Sequence, residues 1–298
     1  MDVGVIGLGS MGMGAALNLL RHGYAVAGCD IREAARAELT AAGGRAVARA
    51  ADLPQGLEAV IVFVVNAAQA EAVLFGADGC VARLAPGAVV LCCTTIAPEA
   101  ARSLSAQLAE RELLLLDAPV SGGATAARAG RMTVMASGPE AAFAKVQPVL
   151  EAISAKLWRL GDAAGAGSTV KMVNQLLAGV HIAAAAEAMA LGIRAGADPQ
   201  TLFDVITTSA GNSWMFQDRV PHILAGDDTP KSAVNIFVKD LGIVLDQARS
   251  LTFPLPLAAA AHQLFLAAAA AGHGASDDAF VIRVYQALSG IALPEAKG

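Results

Sequence analysis

The chain has 298 residues, 55% of them hydrophobic and 16% charged, with a net charge of −5 and a pI near 5.5. That length suits two domains better than one core. The acidic balance, without any Lys/Arg block, argues against a nucleic-acid partner and leaves any anionic ligand to local donors. Four cysteines, Cys29, Cys80, Cys92 and Cys93, show no metal spacing and are too few for a disulfide framework, so a cytoplasmic protein with no metal site is expected. Met1–Gly14 lacks a basic segment and does not read as a signal peptide. The apolar stretches 170–191 and 257–271 are broken by Lys171, Asn174, Gln175, His181 and Glu187, and by His262 and Gln263. They read as buried helices, with no membrane partner.

The first half alternates. Runs apolar on both faces, Val3–Ile6, Ala25–Cys29, Ala59–Val65, Ala88–Cys92 and Leu113–Leu116, are separated by stretches of helical spacing. This predicts an α/β domain with a doubly wound parallel sheet. Further strands are expected at Met132–Ala136 and Lys156–Leu160, with a helix from Pro139 to Ile153 between them. After Gly161 no strand is expected. A long helix over Gly167–Ala195 precedes helices near 199–208, 236–250, 256–271 and 278–289. The expected domains are 1–163, α/β, and 164–298, all-helical, joined by the long helix.

Gly7-Leu8-Gly9-Ser10-Met11-Gly12 follows the first strand and opens a helix, and Asp30 closes the second strand. In that context the pattern is a dinucleotide site. Gly7 makes the tight turn, Gly9 lets the backbone approach a pyrophosphate, and Gly12 lets helix and strand pack closely. The pyrophosphate sits on the helix N-terminus. Asp30 accepts from the ribose hydroxyls and repels a 2′-phosphate, which favours NAD over NADP; Arg32 beside it is either an exposed arginine or a 2′-phosphate ligand.

Two segments carry chemistry beyond packing. Asp117-Ala118-Pro119-Val120-Ser121-Gly122-Gly123 follows a strand at its carboxyl end, where a hydroxyl and open backbone N–H groups suit a carboxylate; a plain glycine-rich turn is the alternative. Lys171, Asn174 and Gln175 share one face at the start of the long helix. A lysine among alanines and valines is either a general base, its pKa lowered by burial, or a snorkelling side chain in a structural ion pair. Lys239-Asp240, taken alone, reads as an exposed pair. Asp227-Asp228 and Asp277-Asp278 read as loop and helix-start carboxylates, the histidines as surface or packing residues, and Cys92-Cys93 as inert.

Together these segments, with Asn18-Leu19 and Lys239-Asp240-Leu241, resemble the β-hydroxyacid dehydrogenase family, which includes 3-hydroxyisobutyrate dehydrogenases and tartronate semialdehyde reductases. The resemblance implies a Rossmann-like domain, a long interdomain helix and an all-helical domain that takes part in a homodimer or homotetramer. It implies Lys171 as the catalytic residue, Ser121, Gly122 and Gly123 as the carboxylate loop, and Asn174 and Gln175 as the amides that orient substrate and lysine. It implies cofactor contacts at Thr95 and Lys239, which complete an NAD set with Gly7 to Gly12, Asp30, Ile31, Arg32, Val65 and Asn66. Val64-Val65 stands where many relatives carry Leu-Pro, and Gln175 where some carry Asn. The segments 211–216 and 231–237 most resemble the branch containing L-threonate dehydrogenases, which implies a small hydroxy acid oxidised at C2. An NAD-binding regulatory protein without turnover is the rival reading, and the retained Lys171 disfavours it.

Overall fold

In the computed structural model, which describes residues 1–294, the first apolar run is strand β1 (Asp2–Ile6) at the centre of a six-stranded sheet. The elements that follow are α1 (Ser10–Arg21), β2 (Ala25–Cys29), α2 (Glu33–Ala41), β3 (Arg45–Val47), β4 (Leu57–Val62) and α3 (Ala67–Phe75). Then come β5 (Leu84–Cys92), α4 (Pro98–Ala109), β6 (Leu114–Asp117), β7 (Val120–Ser121), α5 (Gly123–Arg128), β8 (Met132–Ala136), α6 (Glu140–Ile153), β9 (Ser154–Arg159) and α7 (Ala166–Arg194). The chain divides into two compact units between Lys171 and Met172, inside α7.

The main sheet has the order β3-β2-β1-β4-β5-β6 and every pairing in it is parallel. Its inner strands β4 and β5 are apolar without a break from Ala59 to Val62 and from Ala88 to Cys92, because both faces are covered there. Ala59 and Ile61 of β4 join one apolar cluster, and Val60 and Val62 the other. The order reverses between β1 and β4, so the crevice beyond their carboxyl ends is where an open sheet of this kind takes a ligand.

Three details differ from the expected strands. β4 stops at Val62 rather than Val65, because β1 turns away at Gly7; the Phe63 N–H makes one last bond to the Ile6 carbonyl (2.7 Å). β8 and β9 do not extend the main sheet. They form a second, three-stranded sheet in which β9 is parallel to β8 and the short β7 is antiparallel to it. The edge strand β3 has three residues and no apolar run to betray it.

The second unit holds α8 (Pro199–Thr207), α9 (Trp214–Ala225), α10 (Val234–Ser250), α11 (Pro256–Ala268) and α12 (Arg283–Ser289), with no strand among its described residues. α9 escaped the expected elements. Its Gly211-Asn212-Ser213 lead-in resembles a loop and Pro221 interrupts it, yet the Ser213 hydroxyl caps it by accepting from the Phe216 N–H (3.0 Å). The expected helix 256–271 closes at Ala268 in a π turn, and 278–289 is a 3-10 turn followed by α12. α7 is the one helix among the described residues long and apolar enough to cross a membrane. Ile182, Ala186 and Met189 on it lie in the second unit's apolar cluster with Phe237, Leu241 and Phe265, as in a core helix.

Candidate active site

Gly7 has φ +89°, and a Cβ there would stand 2.6 Å from the Phe63 carbonyl oxygen. A Cβ on Gly12 would collide with the Gly7 carbonyl oxygen. Only glycine lets β1 turn into α1 this tightly. Around Gly9, by contrast, a Cβ would meet nothing within 4 Å. Gly9 is the N-cap of α1 and offers no side-chain acceptor, so the first-turn N–H groups of Ser10, Met11 and Gly12 face the mouth of the sheet. An anionic pyrophosphate fits such a helix start.

Asp30 ends β2 beside this turn. Its carboxylate accepts from the Leu8 N–H (2.7 Å) and the Arg32 N–H (2.8 Å). The Arg32 guanidinium lies on it at 3.2 Å and also donates to the Leu8 carbonyl (2.9 Å). Burial pushes the Asp30 carboxyl up, but the hydrogen bonds from Arg32 and the Leu8 N–H outweigh it and hold it below the usual carboxylate range. Asp30 thus fixes the glycine turn as well as presenting a negative charge, and Arg32 is its partner. Ile31 is fully exposed next to them. Asp30→Asn keeps an acceptor for Leu8 but removes the charge. It is expected to raise the NADP/NAD ratio of kcat/KM on the order of tenfold, because the repulsion of a 2′-phosphate is lost. A parent chain that already prefers NADP refutes this.

The remaining contacts expected in this unit follow the carboxyl ends of β4 and β5. Asn66 caps α3, its side-chain oxygen accepting from the Gln69 N–H (2.9 Å), and the exposed Val65 donates its N–H to the Gln69 side chain (2.9 Å). Thr95 is half-buried in the turn after β5. Gly7 to Gly12, Asp30, Asn66 and Thr95 therefore line one edge of the sheet. Ser121 lies on β7, paired with Thr133, and Gly122 and Gly123 open α5.

Lys171 is 7% exposed, one turn into α7. The start of that helix is held by Asp117 at the end of β6. One Asp117 oxygen accepts from the N–H groups of Gly165 (2.9 Å) and Ser168 (2.8 Å), and the other from the Ser168 hydroxyl (2.7 Å). The Ser137 hydroxyl, which itself accepts from the Gly167 N–H (3.0 Å), adds a longer bond to Asp117 (3.4 Å). Burial pushes the Asp117 carboxyl up, against the hydrogen bonds from Ser168, Gly165 and Ser137. The sequence points to Asp117–Gly123 for its serine and glycines and to the start of α7 for the face shared by Lys171, Asn174 and Gln175, and to neither for this clamp, since Asp117 closes an apolar strand and Ser168 looks like any helix-start serine. Asp117→Asn leaves one acceptor for four donors. It is expected to cost about 1–3 kcal/mol in chemical denaturation and to lower kcat more than it changes KM.

In the second unit, Gln175 is 8% exposed and Asp240 only 2%. The Asp240 carboxylate accepts from Gln175 Nε2 (2.5 Å) and Lys239 Nζ (2.5 Å), and Gln175 Oε1 accepts from Asn174 Nδ2 (3.0 Å). Lys239-Asp240 is therefore no exposed pair: packing of α10 on the apolar cluster buries its carboxylate. The thiols are closed off. Burial pushes Cys29 up to about 11 and Cys80 and Cys92 up to about 12, which leaves little thiolate to react.

Residues 2–161 match the family model described as the NAD binding domain of 6-phosphogluconate dehydrogenase. Residues 165–285 match the one described as "NAD-binding of NADP-dependent 3-hydroxyisobutyrate dehydrogenase". A protein of Cupriavidus necator named L-threonate dehydrogenase is 58% identical over 98% of both chains. Another so named, from Escherichia coli K12, is 53% identical over 99% of this chain and 97% of its own. The crystal structure of a Salmonella typhimurium protein described as 3-hydroxyisobutyrate dehydrogenase superposes with a TM-score of 0.91 at 52% identity, over 95% of this chain and 99% of that one. With its glycine turn, its acidic β2 end and these matches over nearly its whole length, the chain belongs to the 3-hydroxyisobutyrate dehydrogenase family of NAD-dependent hydroxyacid dehydrogenases.

Proposed function

We propose that the chain is an L-threonate dehydrogenase that oxidises the C2 hydroxyl of this four-carbon sugar acid to 2-oxotetronate. The observation that carries hydroxyl oxidation is a nearly buried lysine, Lys171, on a helix start fixed by Asp117. The substrate is taken from the relatives that share more than half of the sequence. NAD, when bound, supplies the hydride acceptor. The Ser121 hydroxyl and the N–H groups of Gly122 and Gly123 bind the substrate carboxylate, and Asn174 holds a hydroxyl. Lys171 Nζ, unprotonated in the oxidation direction, accepts the hydroxyl proton and returns it to the carbonyl oxygen in reduction. Gly7 to Gly12, Asp30, Ile31, Arg32, Val65, Asn66, Thr95 and Lys239 serve the cofactor. Residues 1–163 form the cofactor domain and 164–298 the substrate and assembly domain. The protein is a cytoplasmic homodimer or homotetramer. Its buried thiols suit a reducing compartment, and exposed Leu191, Phe253, Leu257 and Leu288 are apolar surface for subunits to cover.

A panel of hydroxy acids with NAD and NADP, followed at 340 nm, tests the substrate. L-threonate with NAD is expected to give the highest kcat/KM. A preference for 3-hydroxyisobutyrate, or for tartronate semialdehyde in the reduction direction, overturns the substrate and keeps the chemistry. Light scattering of the purified protein tests the assembly.

A further inference from the structure

Asp240 is the one group in the Asn174–Gln175–Lys239 cluster that can only accept. A carboxylate has no proton to give, whereas a glutamine or asparagine amide can be turned either way. Buried at 2% exposure, Asp240 gives one oxygen to Lys239 Nζ and the other to Gln175 Nε2. With Nε2 committed there, Gln175 turns Oε1 toward Asn174, which has to answer with Nδ2 (3.0 Å). Turning Gln175 over would set its carbonyl oxygen against a buried carboxylate, a repulsion little screened at that depth. The polarity of the row runs one way: Asn174 directs its amide nitrogen inward and its carbonyl oxygen away from Gln175.

We propose that Asp240 is a positioning residue that fixes this polarity, so that Asn174 offers the substrate an acceptor and selects acids whose second hydroxyl donates a hydrogen bond. The inference rests on the proposed polyhydroxy substrate and deepens it. Gln175, whose two polar ends are spoken for inside the protein, acts through Asn174 rather than on the substrate. Asn174 Oδ1 favours a hydroxyl proton and disfavours a fluorine or a methyl group at the same place. A site built around one hydrogen bond rejects the analogue that lacks it more strongly than a merely apolar pocket can.

The test compares kcat/KM for L-threonate with that for its 3-deoxy-3-fluoro and 4-deoxy-4-fluoro analogues, since fluorine replaces hydroxyl in size but cannot donate. The parent enzyme is expected to favour L-threonate over at least one analogue by more than about tenfold. In Asp240→Asn, Lys239 holds the new carboxamide by its oxygen. The carboxamide nitrogen then faces Gln175, which turns over and makes Asn174 present Nδ2. The ratio is expected to fall to within about threefold. Adding Gln175→Glu restores an acceptor-only centre that takes hydrogen bonds from both neighbours, and the double variant is expected to regain most of the ratio. Gln175→Met breaks the row while leaving Asp240 with Lys239, and is expected to lose the ratio as well. It also serves if Asp240→Asn does not fold. NADH Kd is measured for each variant, so that a loosened Lys239 is seen separately. An unchanged ratio in Asp240→Asn or in Gln175→Met, or a lost ratio that the double variant does not recover, overturns the proposal. If the parent ignores L-threonate, the proposed function fails by itself. The ratio is then taken on the polyhydroxy acid that the parent does use, and a parent that prefers an acid without a second hydroxyl overturns both.

Discussion

Lys171→Ala is expected to lower kcat for hydroxy-acid oxidation by at least about 10²–10⁴-fold, the usual worth of a positioned acid–base group, with NADH Kd within about twofold of the parent. The nucleotide contacts assigned to the first unit lie on the turns after β1, β2, β4 and β5, each far from Lys171 in the sequence. Removing the amine takes away the acceptor for the substrate proton and leaves that edge of the sheet intact. A snorkelling lysine would predict something else, namely an exposed ammonium and a modest loss of stability with activity kept. Lys171 is almost wholly buried, and its helix start is held by three hydrogen bonds to a single carboxylate. Stopped-flow single turnover with the parent and the variant, alongside NADH fluorescence titration, separates the two. A Lys171→Ala enzyme that keeps more than about a tenth of the parental kcat removes the acid–base role.

What the sequence made legible, and what it did not, follows from the range of the interactions. The glycine turn, the acidic end of β2 and the long helix are local: each is a few residues whose backbone or spacing admits one solution, as Gly12 against Gly7 shows. The strands of the main sheet were readable because a sheet covered on both faces needs an unbroken apolar run. The Asp117 clamp was not readable, because its partners at Gly165 and Ser168 lie about fifty residues away. Asp240 was hidden in the same manner. In sequence it is the acid next to a lysine, the commonest exposed pair, and only the packing of α10 turns it into a buried acceptor for Gln175. The three-residue β3 and the two-residue β7 carry too few side chains for a period to appear. Chemistry written in consecutive residues was visible; the carboxylates that hold that chemistry in place were not.

The largest effect on stability is expected from a carboxylate of this hidden kind. Asp278 is fully buried in the turn ahead of α12, and Arg219 of α9 grips it with two donors, Nε to Oδ1 at 2.6 Å and Nη2 to Oδ2 at 3.1 Å. Asp218 takes the remaining Arg219 nitrogen, and Lys231 reaches Asp218 (3.4 Å). Asp277 beside it accepts from the N–H groups of Lys231 (2.8 Å) and Ala279 (3.0 Å) and so ties the 226–233 loop to the same turn. Arg219→Met keeps the length of the side chain but leaves Asp278 as a buried charge without its cation. Breaking such a pair from one side costs about 3–5 kcal/mol, which chemical denaturation at pH 8 reads directly. The cost depends on pH in a definite sense. Burial pushes the Asp278 carboxyl up from 3.8 to about 6, against the pull of Arg219. A carboxyl raised on folding favours the fold fully below its ordinary value, and that contribution is lost as pH climbs through the raised one. Without Arg219 the carboxyl rises further, and at the acid end it is protonated and asks for no cation. The deficit of Arg219→Met is therefore expected to be greatest at about pH 8 and to shrink toward about pH 4.5. A deficit that is the same at both ends, or below about 1 kcal/mol at pH 8, means that the pair does not hold α9 to the turn before α12.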